Sequence, residues 1–421
     1  MKEKKQNRRV TKPATAPEET GRPPKPAPDT TVERWVNMLL IRAVRERASD
    51  IHIEERHPGL SIHFRVDGTL RLVQPPDQSL PEGVLTRIRK MARMKLEDER
   101  LPSDGHYGAL VDGREVDFAV HSLPTSQGES LTLRMRDCNS LVPLGKLGFE
   151  PAALTCLRKM LAKPRGLILV VGPAGSGKTT TLYAMLSELA RSDKRVVTLE
   201  YPIEYNLPNI IQSQVDPRSG YDYAAALRVI TRQDPDVVMV GDLGDVDTTH
   251  AALRTALGGR LVLSSLNAGD AVEAISGLLG LGVDPFLLAT GLEGIVGQRV
   301  LRRVCPSCKQ SVAPGSIERQ FLGIKPGQKV AKGRGCEQCM GTGYRGQVGV
   351  FAVVPVTDAL RDIALNRPQP SALRQSYGAV EQRGLYAAGM TKVKAGLTTL
   401  KEVVLKGGLG YIMDPETINE L

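Results

Sequence analysis

The run Gly172-Pro173-Ala174-Gly175-Ser176-Gly177-Lys178-Thr179 has the spacing G-x-x-x-x-G-K-T, and the chemistry that spacing serves is phosphate binding. Its glycines let the backbone wrap an anion with amide N–H groups turned inward. Lys178 is expected to reach the outer phosphates, and the Thr179 hydroxyl, with Thr180 beside it, to face Mg²⁺. The apolar stretch LILVV leads in and TTLYAML leads out, so a strand and a helix N-terminus flank the loop. Residues 172–180 are therefore predicted to bind Mg-ATP. A second apolar strand, Val237–Val240, ends at Gly241-Asp242, where a carboxylate can hold Mg²⁺ through water or orient an attacking water. Asp234, Asp236 and Asp245 nearby read as solvated loop acids.

Four of the six cysteines form two short pairs, Cys305-x2-Cys308 and Cys336-x2-Cys339, separated by 27 residues. Two such pairs offer four thiolates, a set suited to tetrahedral Zn²⁺. A four-thiolate site leaves no open position for catalysis, so its expected role is structural. Cys138 and Cys156 have no close partner in sequence and read as ordinary buried residues.

Several elements must position these groups. Residues 31–45 repeat apolar positions at helical spacing, with Trp35, Met38, Leu39 and Val44 near one face. IHIEE and LSIHFRVDGTLRLV alternate as strands around an Asp67-Gly68 turn. Residues 83–96 look helical, and REVDFAVHSLPT and ESLTLRMRD look like strands. Together they predict a small α+β domain at 31–140, following an arm at 1–30 expected to be disordered, basic and proline-rich, with eight Lys/Arg, four Asp/Glu and six prolines. Strands RVVTLE, DVVMVGD and GRLVLSSL alternate with helical stretches, so residues 141–300 are expected to be α/β with a parallel-rich sheet. A tetracysteine subdomain at 301–355 and a helical segment at 356–421 complete the predicted order. Arg299, Arg302 and Arg303 read as a solvated helix face.

Composition narrows the function. Aromatic content of 4% argues against base-stacking platforms for nucleic acid. The chain has no apolar run of membrane-spanning length and no secretory signal, so a cytoplasmic protein is expected, its basic arm reading as a solvated tail or, more sharply, as a tether to an anionic membrane surface or acidic partner.

The ordered blocks ASDIHIE, FRVDG, LPTSQGES, GPAGSGKTTTLYA, LRVITRQDPDVVMVGD, LVLSSL, QRVLRRVCPSC and GCEQCMGTGYRG resemble the secretion ATPases of type II secretion and type IV pilus assembly, over roughly residues 31–410. The resemblance implies a RecA-like nucleotide domain, a small N-terminal domain that clamps the nucleotide, and a hexamer acting on inner-membrane platform proteins. It points to Glu200, Glu204 and Asp242 as catalytic acids, to structural zinc at the four cysteines, and to a homo-hexamer or a hexamer mixed with a paralogue.

This chain departs from the family pattern at several chemical positions. Asp242 stands where the family has Glu, and Gly244 where it has Arg. Tyr201 replaces an Asp, Asn267 a His, and His106 and Ala119 two arginines. Three functions follow as expectations: an ATP-driven secretion or pilus motor, a weakly active ATP-binding subunit, and, least favoured, a nucleic-acid motor.

Overall fold

The structure is a computed structural model of the chain. It describes residues 31–407 apart from 58, 75–82, 97–100, 138–140, 191–192, 324, 326, 367–370 and 372–378. The N-terminal arm, Cys138 and residues 408–421 lie outside the described residues.

Alternation of apolar and polar residues builds the first sheet. Its six strands are β1 (Ala48–Glu55), β2 (Leu60–Val66), β3 (Thr69–Val73), β4 (Ser103–Val111), β5 (Arg114–Thr125) and β6 (Gly128–Asp137). They are antiparallel neighbours in the order β3-β2-β1-β6-β5-β4. Period-two alternation sends Ile62, Phe64, Val116, Phe118 and Val120 to one buried face. Helices α1 (Thr31–Glu46) and α2 (Val84–Met91) add Trp35, Val36, Leu39, Leu40, Ala43, Val44 and Ile88 to the same core. Met38, grouped with this stripe on sequence, is instead 53% exposed. The second helix is shorter than the 83–96 stretch suggests, because the chain turns at Arg93, whose φ is +56°. Strand β4 went unread in the sequence. It pairs along its length with β5, and its residues are only partly covered, so its apolar signal is weak.

The second sheet follows the α/β pattern. Helix α3 (Pro151–Leu161) precedes β7 (Gly166–Gly172) and α4 (Lys178–Leu189). Then come β8 (Val196–Glu200), β9 (Ile211–Gln214), α5 (Tyr223–Ile230), β10 (Val237–Val240), α6 (Val246–Leu257) and β11 (Leu261–Asn267). Helices α7 (Ala271–Gly280) and α8 (Pro285–Gly291) lead to β12 (Leu292–Val304). The seven-stranded order is β15-β12-β7-β11-β10-β8-β9, where β13 (Lys309–Val312) and β14 (Val330–Gly333) form a separate pair and β15 is Tyr344–Pro355. All neighbours are parallel except β15 against β12.

Strand β7 is buried on both sides, which is why it reads as an unbroken apolar run. Leu167, Leu169 and Val171 face a core shared with α5 to α8, while Ile168 and Val170 face one shared with α3 and α4. Each such side chain contributes about 1.5–3 kcal/mol by leaving water, so the loop after β7 hangs from a rigid support. The tail forms a helix at Asp358–Leu365, another at Ala379–Lys394 and a short π-helical turn at Glu402–Lys406. The last two pack on Leu301, Val350 and Ala352 of the sheet edge.

Candidate functional site

The loop between β7 and α4 is shaped for an anion. Gly177 caps α4 with φ +83° and no side-chain hydrogen bond, so the first-turn amides of the helix have no cap. A Cβ on Gly172 would lie 2.4 Å from Ser176 Oγ and 2.7 Å from the Gln298 carbonyl, so glycine is required where β7 meets the loop. The Gln298 amide, reaching from β12, donates to the Ser176 carbonyl and pins the loop from outside. Ser176 Oγ is buried with no hydrogen-bond partner. The uncapped helix, the glycine turns and this orphaned hydroxyl fit a phosphate chain held by residues 172–180.

Lys178 Nζ donates to the carbonyls of Gly172 (2.9 Å) and Pro173 (3.0 Å) and to Asn267 Oδ1 (2.6 Å). Burial pushes its pKa below the usual ammonium range, Asp242 opposes that and Arg299 adds to it. Asn267, where the resemblance expects a histidine, closes β11 directly opposite Gly172 in the strand register, which brings it onto the lysine.

Asp242 follows β10 at the same sheet edge. Burial raises its pKa, against the Leu243 N–H and the Lys178 charge. Ser265 Oγ donates to the Gly241 carbonyl at 2.8 Å and ties the ends of β10 and β11 together. A Cβ on Gly244 would lie 2.9 Å from Asp242 Oδ2, so the aspartate and the glycine suit each other sterically. Two of the other acids are not free loop groups. Asp236 accepts from the Arg195 N–H at 2.7 Å, and Asp245 caps α6 by accepting from the Thr248 N–H at 2.7 Å.

Glu200 ends β8 and is 3% exposed. Its carboxylate accepts from the Tyr183 hydroxyl, from Thr198 Oγ1 and from Gln212 Nε2. Tyr183 stands on α4, and its oxygen also accepts from the N–H groups of Glu204 (3.0 Å) and Tyr205 (3.3 Å). Glu204 has its pKa raised, first by burial and also by Glu200, while Arg136 and Arg134 pull it down. The Tyr223 hydroxyl is pushed up to about 12 by burial and by Asp242 and Glu200. Glu200 and Asp242 thus lie at the ends of neighbouring strands and Glu204 in the loop after β8, with Glu200 already accepting from three donors.

The first sheet meets this edge through β6. Arg136 Nη2 lies 4.0 Å from Glu204 Oε1, and Arg218 lies 4.0 Å from Asp104. His106 and Ala119, where the resemblance expects arginines, face each other between β4 and β5, and Arg134 is the neighbour of Ala119 on β6. Tyr183, Tyr223, Gln298 and Arg136 were missed in sequence. The alternation of L-T-L-R-M-R-D, which puts Arg134 and Arg136 on one strand face, was a usable signal.

Cys305, Cys308, Cys336 and Cys339 converge with all four sulfurs within 4.8 Å of one another. Three sulfur pairs measure 3.7 to 3.9 Å. Four sulfurs ~2.3 Å from one Zn²⁺ lie ~3.8 Å apart, so the set fits that ion. Burial pushes the Cys308 thiol up to about 11. At Cys339 burial is outweighed by N–H bonds from Cys336 and Gly343, which bring it down to about 6. Cys156 is partly buried against the α3–α4 core.

The basic run differs from its sequence reading. Arg299, Arg302 and Arg303 lie on strand β12, not on a helix, and only Arg303 is exposed. Arg302 pairs with Glu402, stacks 4.3 Å over the Tyr344 ring and reaches Thr69 of the small domain. The Asp67-Gly68 turn also docks here, with Asp67 Oδ2 accepting from the Gly346 N–H at 2.7 Å. Among the described residues no helix is long and apolar enough to cross a membrane.

The profile of the Type II/IV secretion system protein family matches residues 26–405. Type II secretion system protein E of Klebsiella pneumoniae is 41% identical over 377 residues, 89% of this chain and 76% of that protein. The type IV pilus assembly ATPase PilB of Myxococcus xanthus is 37% identical over 389 residues, 90% of this chain and 68% of that protein. Among solved structures, the pilus retraction motor PilT with bound ADP superposes with a TM-score of 0.61 at 22% identity, covering 91% of this chain and 99% of that one. The Legionella pneumophila ATPase DotB gives 0.65 at 19%, covering 91% and 97%, and both share the fold. With the phosphate loop, the acidic sheet edge and the four-cysteine cluster in one chain of this fold, the protein belongs to the type II/IV secretion system protein family.

Proposed function

We propose that this chain hydrolyses ATP and couples closure of its small domain to type II secretion or type IV pilus assembly. It works as a hexamer, of its own copies or mixed with a paralogue, on inner-membrane platform proteins from the cytoplasmic side. The observation that carries the reading is Lys178, set on an uncapped helix N-terminus beside Asp242. The names of the relatives, secretion and pilus ATPases among them, support it.

In this reading the amides of residues 174–179 cradle the phosphates, and Lys178 exchanges its loop carbonyls for phosphate oxygens. Thr179 and Asp242 would hold Mg²⁺, which when bound neutralises charge on the transferring phosphoryl group. Glu204 accepts the proton of the attacking water, and Glu200 keeps the edge aligned. The four thiolates hold Zn²⁺ in a structural role. Phosphate release by the wild type, measured against Lys178→Ala, tests the reading. Equal rates would end it.

Glu204 gives a pH expectation. Its raised pKa means that the carboxylate is lost at a higher pH than an ordinary glutamate. The free-enzyme kcat/KM therefore falls with decreasing pH through a limb above the usual ~4.3. A limb at or below that value, or its persistence in Glu204→Gln, would remove the assignment.

A weakly active subunit is the second reading, favoured by Asp242 and Asn267 at the loop. Asp is one methylene shorter than Glu, and a ~1 Å misplacement can cost ~100-fold. Asp242→Glu is therefore expected to raise turnover ~10-fold or more. Brisk hydrolysis by the wild type, with no gain from this change, would exclude slow chemistry.

A further inference from the structure

We infer that Arg136 is a positioning residue for Glu204, through which the small domain grips a hydrogen-bonded chain rooted in the helix of the phosphate loop. The inference rests on the ATPase reading above and names a part of that site.

Strand β6 alternates, so Arg134 and Arg136 leave the same face two residues apart. Arg134 Nε is bonded back into its own domain by Asp50 Oδ1 at 3.0 Å. Arg136 reaches across to the second sheet, with its side chain only 11% exposed and its guanidinium 4.0 Å from Glu204. That separation is ~1 Å longer than a charge-assisted hydrogen bond. The pair is thus in register but not yet closed, and a small advance of β6 would complete it.

The far side of Glu204 is tied to the loop helix. Its N–H donates to Tyr183 Oη, and the Tyr183 hydroxyl donates to Glu200. Tyr183 is five residues along α4 from Lys178, ~7.5 Å of helix rise. One tyrosine hydroxyl therefore joins both glutamates to the element that carries the phosphate-binding lysine. The charged and titratable groups facing Glu204 are Arg134 and Arg136 from β6, Glu200 from β8 and Tyr183 from α4. Arg136 is the one among them that moves with the small domain and contacts the Glu204 carboxylate, so it sets where that carboxylate points when the domain advances.

The test uses full-length Arg136→Ala, Arg136→Lys, Tyr183→Phe and Glu204→Gln. Arg136→Ala is expected to lower kcat ~10-fold with KM for ATP within about twofold, and to move the acid limb of the pH profile upward. Arg136→Lys recovers most of kcat and returns the limb toward wild type. In a Glu204→Gln background Arg136→Ala costs nothing further, because its target is gone. Tyr183→Phe lowers kcat while fluorescent-ATP binding is kept. Additive losses in the double variant, or an unmoved acid limb in Arg136→Ala, would overturn the inference. Should the wild type itself release no phosphate above Lys178→Ala, the ATPase reading fails by that control. The Arg136–Glu204 link is then read from a thermal-unfolding cycle of the same variants, where additive shifts overturn it.

Discussion

Lys178→Ala is expected to lower ATP turnover by ~10²–10³-fold, the scale seen when one preorganised donor to developing charge is removed. In the structure the ammonium is already gathered at the mouth of the loop by two loop carbonyls and Asn267. Those partners are neutral oxygens, so a phosphate chain outcompetes them by charge. Burial that disfavours the free ammonium makes an anionic ligand more welcome still. Affinity falls as well, and nucleotide binding followed by fluorescence separates the two losses. The fold is expected to survive, since Lys178 is not among the buried residues of either core. A variant that keeps its thermal midpoint and also keeps full turnover would show that phosphate release in the preparation has another source.

The second large effect concerns the thiolates. Replacing Cys308 and Cys339 together by serine is expected to abolish binding of one Zn²⁺ per chain and to loosen residues 305–343. Structural zinc sites carry apparent binding free energies of about 10–16 kcal/mol at neutral pH, a large contribution for a segment of this size. Its other supports include a pair of four-residue strands and a short helix, from which Leu322 and Val330 pack on the core of the C-terminal helices. Metal content by mass spectrometry and limited proteolysis within this segment would check it. A double variant that still holds one zinc would show that the cluster is not the metal site, and one that resists protease like the wild type would show that the segment does not depend on it.

The loop and the cysteine cluster were legible because their chemistry is local. Eight consecutive residues carry the one, and two short spacings carry the other. The α/β order was legible too, since buried parallel strands such as β7 announce themselves as apolar runs. What stayed hidden depends on strand neighbours. Asn267 meets Lys178 because β11 and β7 share a register, and Arg136 meets Glu204 because the end of β6 comes against the loop after β8. Nothing within either residue's own window encodes those meetings. Arg302 was misread for a related reason: its partners Glu402, Tyr344 and Thr69 come from three distant segments. Strand β4 lacks a strong apolar face of its own and borrows order from β5.

Strand β12 has one further consequence. At Gln298 it holds the Ser176 carbonyl of the phosphate loop, at Arg302 it touches the small domain, and just past its end stands Cys305. From Gln298 to Cys305 is ~23 Å of extended chain, braced along its length by β15. It is a strut with a gauge at each end. A shift of the phosphate loop is expected to travel along this strut, whose pairing with β15 is irregular between Arg302 and Val304, to the four-cysteine cluster and to the Asp67 turn docked beside it.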